Sequence, residues 1–380
     1  MSSMHLVIIT PGFPANECDT TCIPGLQDLV QSYKRCYPQL KIHVIALHYP
    51  FREKYYQWNG IEVYAAGGEN SKFRKLQTWL RVFRFIRTLQ AKEPITVLHS
   101  FWLSESAFLG QIASRLHNIP HVATIMGQDA KRENKYLPLI GAIATDSMRV
   151  LALSEFAARI YFASTGRQVQ GVIPFGVVPM GIVPALASEE TKSLAKMRNI
   201  DILTVGSVIP LKNYLTFIDV VSAIKRQIPT IRAVIVGAFI DAKEVERLRS
   251  KITALNLEEN IELAGEVSRG DVFAYMAQSK VLLHTSQYEG QGWVLLEALS
   301  YGADVVCFDV GFTMPHPQMH VCQNKQGLEF AVTTALESKV PAPHSPEKIH
   351  SSDNDTAVTV PSIDDTARSY IQLYRQFSMK

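Results

Sequence analysis

The chain has 380 residues, of which 47% are apolar and 19% charged, with 38 Lys and Arg against 35 Asp and Glu. That length calls for two or three domains at roughly 100–200 residues each. The composition excludes a disordered or fibrous chain, the net charge of +3 is too small to signal nucleic-acid binding, and no apolar run approaches the ~20 residues of a membrane span.

The first element expected is a buried strand at Leu6–Ile9. It lacks a preceding basic segment and is shorter than the roughly 7–15 apolar residues of a signal peptide, so a cytoplasmic location is expected. Five cysteines, an odd number, agree with a reducing compartment. Cys18 and Cys22 make at most half a metal site, and no second Cys/His pair lies nearby, so no metal is expected. Further strands are predicted at Ile42–Leu47, Ile61–Tyr64, Thr96–His99, His121–Ile125, Val150–Leu153 and Gly171–Ile173. Helical patterns fall near Ile23–Tyr33, Phe73–Gln90, Glu105–Leu116 and Glu155–Ser164. Strand runs without polar alternation, each followed by a helix, indicate a parallel sheet covered on both faces.

Residues 185–199 read as a linker, after which the alternation restarts. Strands are expected at Ile202–Val205, Ala233–Val236, Ile261–Leu263, Val281–His284 and Val305–Phe308. Helices are expected near Tyr214–Gln227, Ala242–Thr253, Asp271–Met276, Trp293–Ser300 and Leu328–Glu337. The organisation is therefore a Rossmann-like α/β domain over 1–184, a second over 200–340, a Pro- and Ser-rich loop over 341–362, and a closing helix over 363–380 able to dock on the first domain. In paired sheets of this kind, ligands bind outside the carboxyl ends of the strands.

The richest stretch runs from Val281 to Gly302. A buried strand ends near His284, a loop carries Glu289, Gly290 and Gly292, and a helix begins at Trp293. A helix start offers backbone N–H groups and about half a positive charge, and glycines let an anion come close, so a phosphate is the natural ligand. Glu297, in the second turn, leans back toward that start and can accept two hydrogen bonds from a vicinal diol such as a ribose. Glu289 can do the same for another hydroxylated group beyond the phosphates.

The pattern Ser-x-x-Glu-Gly-x-Gly-x-x-x-x-Glu-Ala-x-x-x-Gly over 286–302 resembles the retaining family-4 glycosyltransferases of the GT-B fold. The resemblance implies that Glu289 faces the donor sugar and Glu297 binds the nucleotide ribose. Thr204-Val-Gly-Ser-Val-Ile-Pro-Leu-Lys212 is similar to the family's Gly-Arg-x-x-x-x-Lys segment, whose cations neutralise the leaving diphosphate. Lys212 fits, whereas Ser207 stands where the family has Arg and supplies no charge. The implied catalytic pair is Glu289 and Lys212. The implied donor-binding set is Glu297, Ser207, Gly206, Gly290, Gly292, Trp293, Val267 and Gly12, the last from the Thr10–Pro14 turn expected after the first strand.

In the first half, Val97–Trp102 and Thr124–Asp129 fall where the family's N-terminal segments lie, which makes His99, Trp102 and Asp129 acceptor-side candidates. His99 reads equally as a satisfied core histidine, and Met126 replaces a family His. Lys72, Arg74, Lys75, Arg81, Arg84 and Arg87 share a helix with Trp79, Phe83 and Ile86, either an anionic membrane surface binder or a solvated face with its aromatics inward.

The reaction implied is transfer of a hexose from a UDP- or GDP-sugar to a hydroxyl of a glycan or lipid-linked acceptor, with no cofactor or metal required. A sugar-nucleotide epimerase and a non-catalytic nucleotide- or glycan-binding scaffold remain as alternatives. A nicotinamide-dependent dehydrogenase is disfavoured, because no Gly-x-Gly-x-x-Gly follows either domain's first strand.

Overall fold

The computed structural model describes residues 4–178, 198–337 and 359–378. All of the expected linker but 198–199, and all of the expected loop but 359–362, lie outside the described residues. The chain divides into two compact units, 1–175 together with 363–380, and 176–362. The first crossing thus comes at 175/176, ahead of the boundary expected at 184.

In the first unit the elements are β1 (His5–Gly12), α1 (Pro24–Cys36), β2 (Lys41–Tyr49), β3 (Lys54–Trp58), β4 (Ile61–Ala65), α2 (Lys75–Lys92), β5 (Val97–Phe101), α3 (Glu105–His117), β6 (His121–Ile125), α4 (Tyr136–Ile143), β7 (Met148–Ala152), α5 (Glu155–Thr165) and β8 (Gly171–Val172). The strands form one sheet in the order β3-β4-β2-β1-β5-β6-β7-β8. All its pairings are parallel except β3 with β4, an antiparallel edge hairpin. That hairpin turns on Asn59-Gly60, both at positive φ (46° and 72°), as a tight hairpin turn requires. β1 and β5 show no polar alternation because helices cover both faces of the sheet, and Leu6, Val7, Ile8, Val97 and Leu98 are all fully buried.

The second unit contains β9 (Ile200–Val205), α6 (Tyr214–Lys225), β10 (Ala233–Val236), α7 (Ala242–Ala254), β11 (Ile261–Gly265), α8 (Arg269–Gln278), β12 (Ser279–His284), α9 (Trp293–Ser300), β13 (Asp304–Phe308), β14 (Met319–Cys322) and α10 (Lys325–Glu337). Its sheet is wholly parallel, ordered β11-β10-β9-β12-β13-β14. Caps set several of these helices: Asp241 accepts from the amides of Lys243 and Glu244 at the start of α7, and Ser268 from that of Asp271 at the start of α8.

The last helix, α11 (Ile363–Ser378), belongs to the first unit. Tyr370 and Tyr374 are fully buried there. Tyr374 shares a hydroxyl contact of 3.2 Å with Tyr33 of α1, and Thr366 donates to the Pro174 carbonyl at 2.8 Å. Ser32 donates to Asp364 at 2.5 Å. Each fully buried ring of this size contributes roughly 1.5–3 kcal/mol. The five cysteines are free. No helix among the described residues is long and apolar enough to cross a membrane.

Candidate functional site

The strand order of the second unit creates its own site. β9 and β12 are neighbours, while their successors β10 and β13 lie on opposite sides. The loops leaving β9 and β12 therefore diverge, opening a crevice at the carboxyl ends of these two strands. The loop after β9 carries Gly206, Ser207 and Lys212, and the loop after β12 carries Glu289, Gly290 and Gly292. Thr285 donates its hydroxyl to the Lys212 carbonyl at 3.0 Å, and the Gln287 amide donates to the Leu211 carbonyl at 3.0 Å, so the two loops are tied together.

Lys212 and Glu289, far apart in sequence, meet here. Lys212 Nζ donates to Glu289 Oε1 at 2.6 Å, and His284 Nε2 lies 3.1 Å from the same oxygen. Burial pushes the Glu289 carboxyl up, but the His284 hydrogen bond and the Lys212 charge outweigh it and hold the group at about 2. Burial lowers His284, with Glu289 only partly restoring it, so the ring is neutral near pH 7 and Nε2–H is the donor. Gly206 makes room for the lysine stem. Its φ is +150°, and an added Cβ would lie 3.0 Å from Lys212 Cε and 3.2 Å from the Tyr214 hydroxyl. That hydroxyl donates to the Gly206 carbonyl at 2.7 Å. Ser207, half-buried, follows directly.

α9 begins at Trp293 behind Gly292, and no side chain caps it. Its amino end presents the positive pole expected from sequence. Glu289 stands at that end, packed so closely by the loop after β13 that a Cβ on Gly311 would come within 2.9 Å of its own Cβ. Trp293 donates from Nε1 to Gln291 at 3.2 Å. Glu297, one turn into α9, pairs with Arg269 Nη2 at 3.3 Å, and the Arg269 guanidinium sits 5.2 Å over the Phe273 ring. Val267, just before α8, packs against the sheet's apolar core.

Two residues of this constellation were missed in the sequence. His284 reads there as the last residue of a buried strand. Arg269 did carry a signal: a cation in the first turn of α8 opposes the helix dipole, and such a placement needs a partner, here Glu297.

In the first unit the structure does not bring the acceptor-side candidates together as an open polar group. His99 has no exposed surface: Nδ1 contacts the Tyr374 hydroxyl, Nε2 lies 2.8 Å from Thr124 Oγ1, and its ring stacks on Phe101 at 4.1 Å. It is a satisfied core histidine under α11, which corrects its placement as an acceptor contact. Asp129 is buried too, its carboxylate taking amides from Leu103 (2.7 Å), Gly127 (2.6 Å) and Met126 (3.2 Å). It ties the loops after β5 and β6 together. Trp102 is half-buried at φ +70°, a strained backbone at a strand end. The turn expected at Thr10–Pro14 instead continues β1 as far as Gly12, where an added Cβ would meet only ordinary contacts at 3.5–3.6 Å.

The family model described as glycosyl transferases group 1 matches residues 187–331. The glycosyl transferase 4-like domain matches residues 25–176. The chain belongs to the family-4, group 1 glycosyltransferases. Its sequence is 32% identical over 108 residues to the amylovoran biosynthesis glycosyltransferase AmsD of Erwinia amylovora, 28% of this chain and 29% of that one. Matches to the curated relatives of this family thus take in about three tenths of those proteins' length for AmsD, and 31% for a Haemophilus influenzae glycosyltransferase. Among solved glycosyltransferase-like structures, Anabaena HepE in complex with UDP and glucose aligns over 99% of this chain and 98% of its own, with TM-score 0.66 and 18% identity. The catalytic domain of Arabidopsis thaliana starch synthase IV, bound to ADP and acarbose, aligns over 100% of both chains with TM-score 0.69 and 13% identity. At such identity the likeness is one of fold, the GT-B pair of Rossmann-like α/β units.

Proposed function

We propose that this glycosyltransferase retains anomeric configuration and moves a hexose from a nucleoside-diphosphate sugar to a hydroxyl of a glycan or lipid-linked acceptor, without a metal. The observation that carries the reading is the Lys212–Glu289 pair at 2.6 Å, beside the amino end of α9 and at the switch point of the second sheet. Lys212 and the amino end of α9 stabilise the charge that develops on the departing diphosphate. Glu289 orients the sugar and Glu297 the ribose, with Gly206, Ser207, Gly290, Gly292, Trp293 and Val267 lining the donor. In front-face transfer the anomeric C–O bond to the diphosphate breaks as the acceptor oxygen bonds the same face, and the leaving phosphate oxygen takes the acceptor proton. No protein nucleophile is needed, so positioning and electrostatics carry the rate. UDP- and GDP-sugars are the donors to try first. HepE was solved with UDP and glucose, which supports a uridine donor.

The acceptor side is proposed to be membrane-linked, from the surface of α2 and of the residues just before it. Phe73 is fully exposed, Leu76 is 67% and Leu80 56% exposed, and Lys72, Arg84 and Arg87 are exposed on the same stretch. Arg81 is not among them, since it pairs with Glu53 at 2.8 Å. An apolar stripe flanked by cations fits an anionic lipid surface.

The test is thermal shift with UDP, GDP and ADP, followed by anomer assignment of the product by NMR with the nucleotide sugar selected. Stabilisation by one nucleotide and a product of retained configuration support the reading. An inverted product, or epimerised donor without acceptor, overturns it. Ser207 in place of a cation favours one second reading, a binding scaffold, which nucleotide binding without turnover on any acceptor would establish.

A further inference from the structure

We propose that His284 is a positioning residue, anchoring Glu289 Oε1 so that Lys212 can leave it for the diphosphate while the carboxylate stays aimed at the donor sugar. This rests on the donor-site reading above and goes beyond it. Ser207 carries no charge, so Lys212 is the one cation that residues 206–213 and 285–292 supply, and two anions claim it: Glu289 now, and the diphosphate once a donor binds. Its stem can swing, because the residue beneath it is Gly206, with no side chain to obstruct Cε. Glu289 needs a second holder for that moment, and His284 meets the requirement.

His284 is 2% exposed, it closes β12, and its backbone is registered against Cys307 of β13, so the ring sits on rigid sheet rather than on the loop. It reaches the same carboxylate oxygen that Lys212 holds, which leaves Oε2 for a sugar hydroxyl. Among the described residues, the charged groups acting on it are Glu289 and Lys212. Glu289 stands on the loop that follows His284, and Lys212 comes from the loop after β9. A neutral ring donor suits the task, since it holds the carboxylate without competing as a cation for the diphosphate.

The experiment compares H284L and H284Q with wild type. The donor is whichever of UDP-glucose, UDP-N-acetylglucosamine and GDP-mannose most raises the wild-type melting temperature. Turnover is read as release of the nucleoside diphosphate to water, and binding of the free nucleoside diphosphate by calorimetry. For H284L a fall in kcat of about 100-fold is expected, the scale of a misplaced reacting group. Affinity for the nucleoside diphosphate should stay within about threefold, and the acid limb of the pH profile should move upward as Glu289 loses a hydrogen bond. H284Q, which keeps a donor, should recover most of the rate and return the limb toward wild type. Wild-type kcat in H284L, equal losses in H284L and H284Q, or a loss confined to nucleotide affinity overturns the proposal. A wild type that binds no nucleotide sugar overturns the donor-site reading instead, so the two failures are distinguishable.

Discussion

The two sheets have the same inner topology, yet the polar residues in and just beyond their central strands are used differently. In the second unit, β9 and β12 end in loops that bring Lys212, Glu289 and the partly exposed start of α9 together. In the first unit, His99 in the middle of β5 and Asp129 in the turn after β6 are also polar, but both are fully engaged inside the protein. A polar residue in or near a central strand is therefore not a site by itself. In the first unit α11 covers the histidine, and loop amides consume the carboxylate. In the second, glycines keep side chains away from the mouth.

The contrast can be broken most forcefully with acid. Burial holds His43 down to about 4, although Glu62 opposes it, holds His121 down to about 3, and keeps His99 well below its ordinary value. All three belong to the first unit. These rings are neutral when folded and take up protons when unfolded, so their stabilisation is complete above about 6.5 and is lost as pH falls toward their folded values. The slope approaches about 1.4 kcal/mol per pH unit for each ring. Hydrogen exchange followed by mass spectrometry between pH 7 and 5 should show β5 and β6 losing protection ahead of β9 and β10. Equal loss in both sheets would break the comparison.

Next in size is Glu289→Gln. It should cut kcat by about 10²–10³-fold, the range for a lost group that stabilises or orients the transition state. Binding of the nucleoside diphosphate should change little. Glu297→Gln should do the reverse, weakening nucleotide affinity about ten- to a hundredfold, as expected for charged hydrogen bonds, with kcat largely kept. Near-normal kinetics in both would contradict the division of roles. The smallest effect on the fold is expected from Phe73→Asp, just before α2, combined with Leu76→Asp in its first turn. Stability should shift by no more than about 0.5 kcal/mol, as for surface changes, while co-sedimentation with vesicles of acidic phospholipid is lost. Unchanged sedimentation would remove the membrane reading.

How much of this was legible beforehand follows from what each signal depends on. Strands with unbroken apolar runs, such as His121–Ile125 and Ala233–Val236, appear where their hydrophobicity placed them, because burial on both faces leaves no other reading. β4 falls on the strand expected at Ile61–Tyr64, but its partner β3, Lys-Tyr-Tyr-Gln-Trp, is not legible although Asn59-Gly60 marks the turn, because it lacks an apolar run and alternates half-buried with exposed positions. α4 was also missed. Its segment, Tyr-Leu-Pro-Leu-Ile-Gly-Ala-Ile, is apolar without helical periodicity and contains Pro138 and Gly141. The Lys212–Glu289 encounter was not visible as a contact, because it depends on which strands become neighbours. His99 shows the converse limit: both its readings suited the sequence, and only the placement of α11, far along the chain, separates them.

The most direct test is a crystal soaked with UDP-glucose. The expected density places the diphosphate at the amino end of the Trp293–Ser300 helix, within reach of Lys212, with the ribose hydroxyls on Glu297 and the glucose against Glu289. Ligand density elsewhere on the protein, with that helix end unoccupied and Lys212 still paired to Glu289, would contradict it.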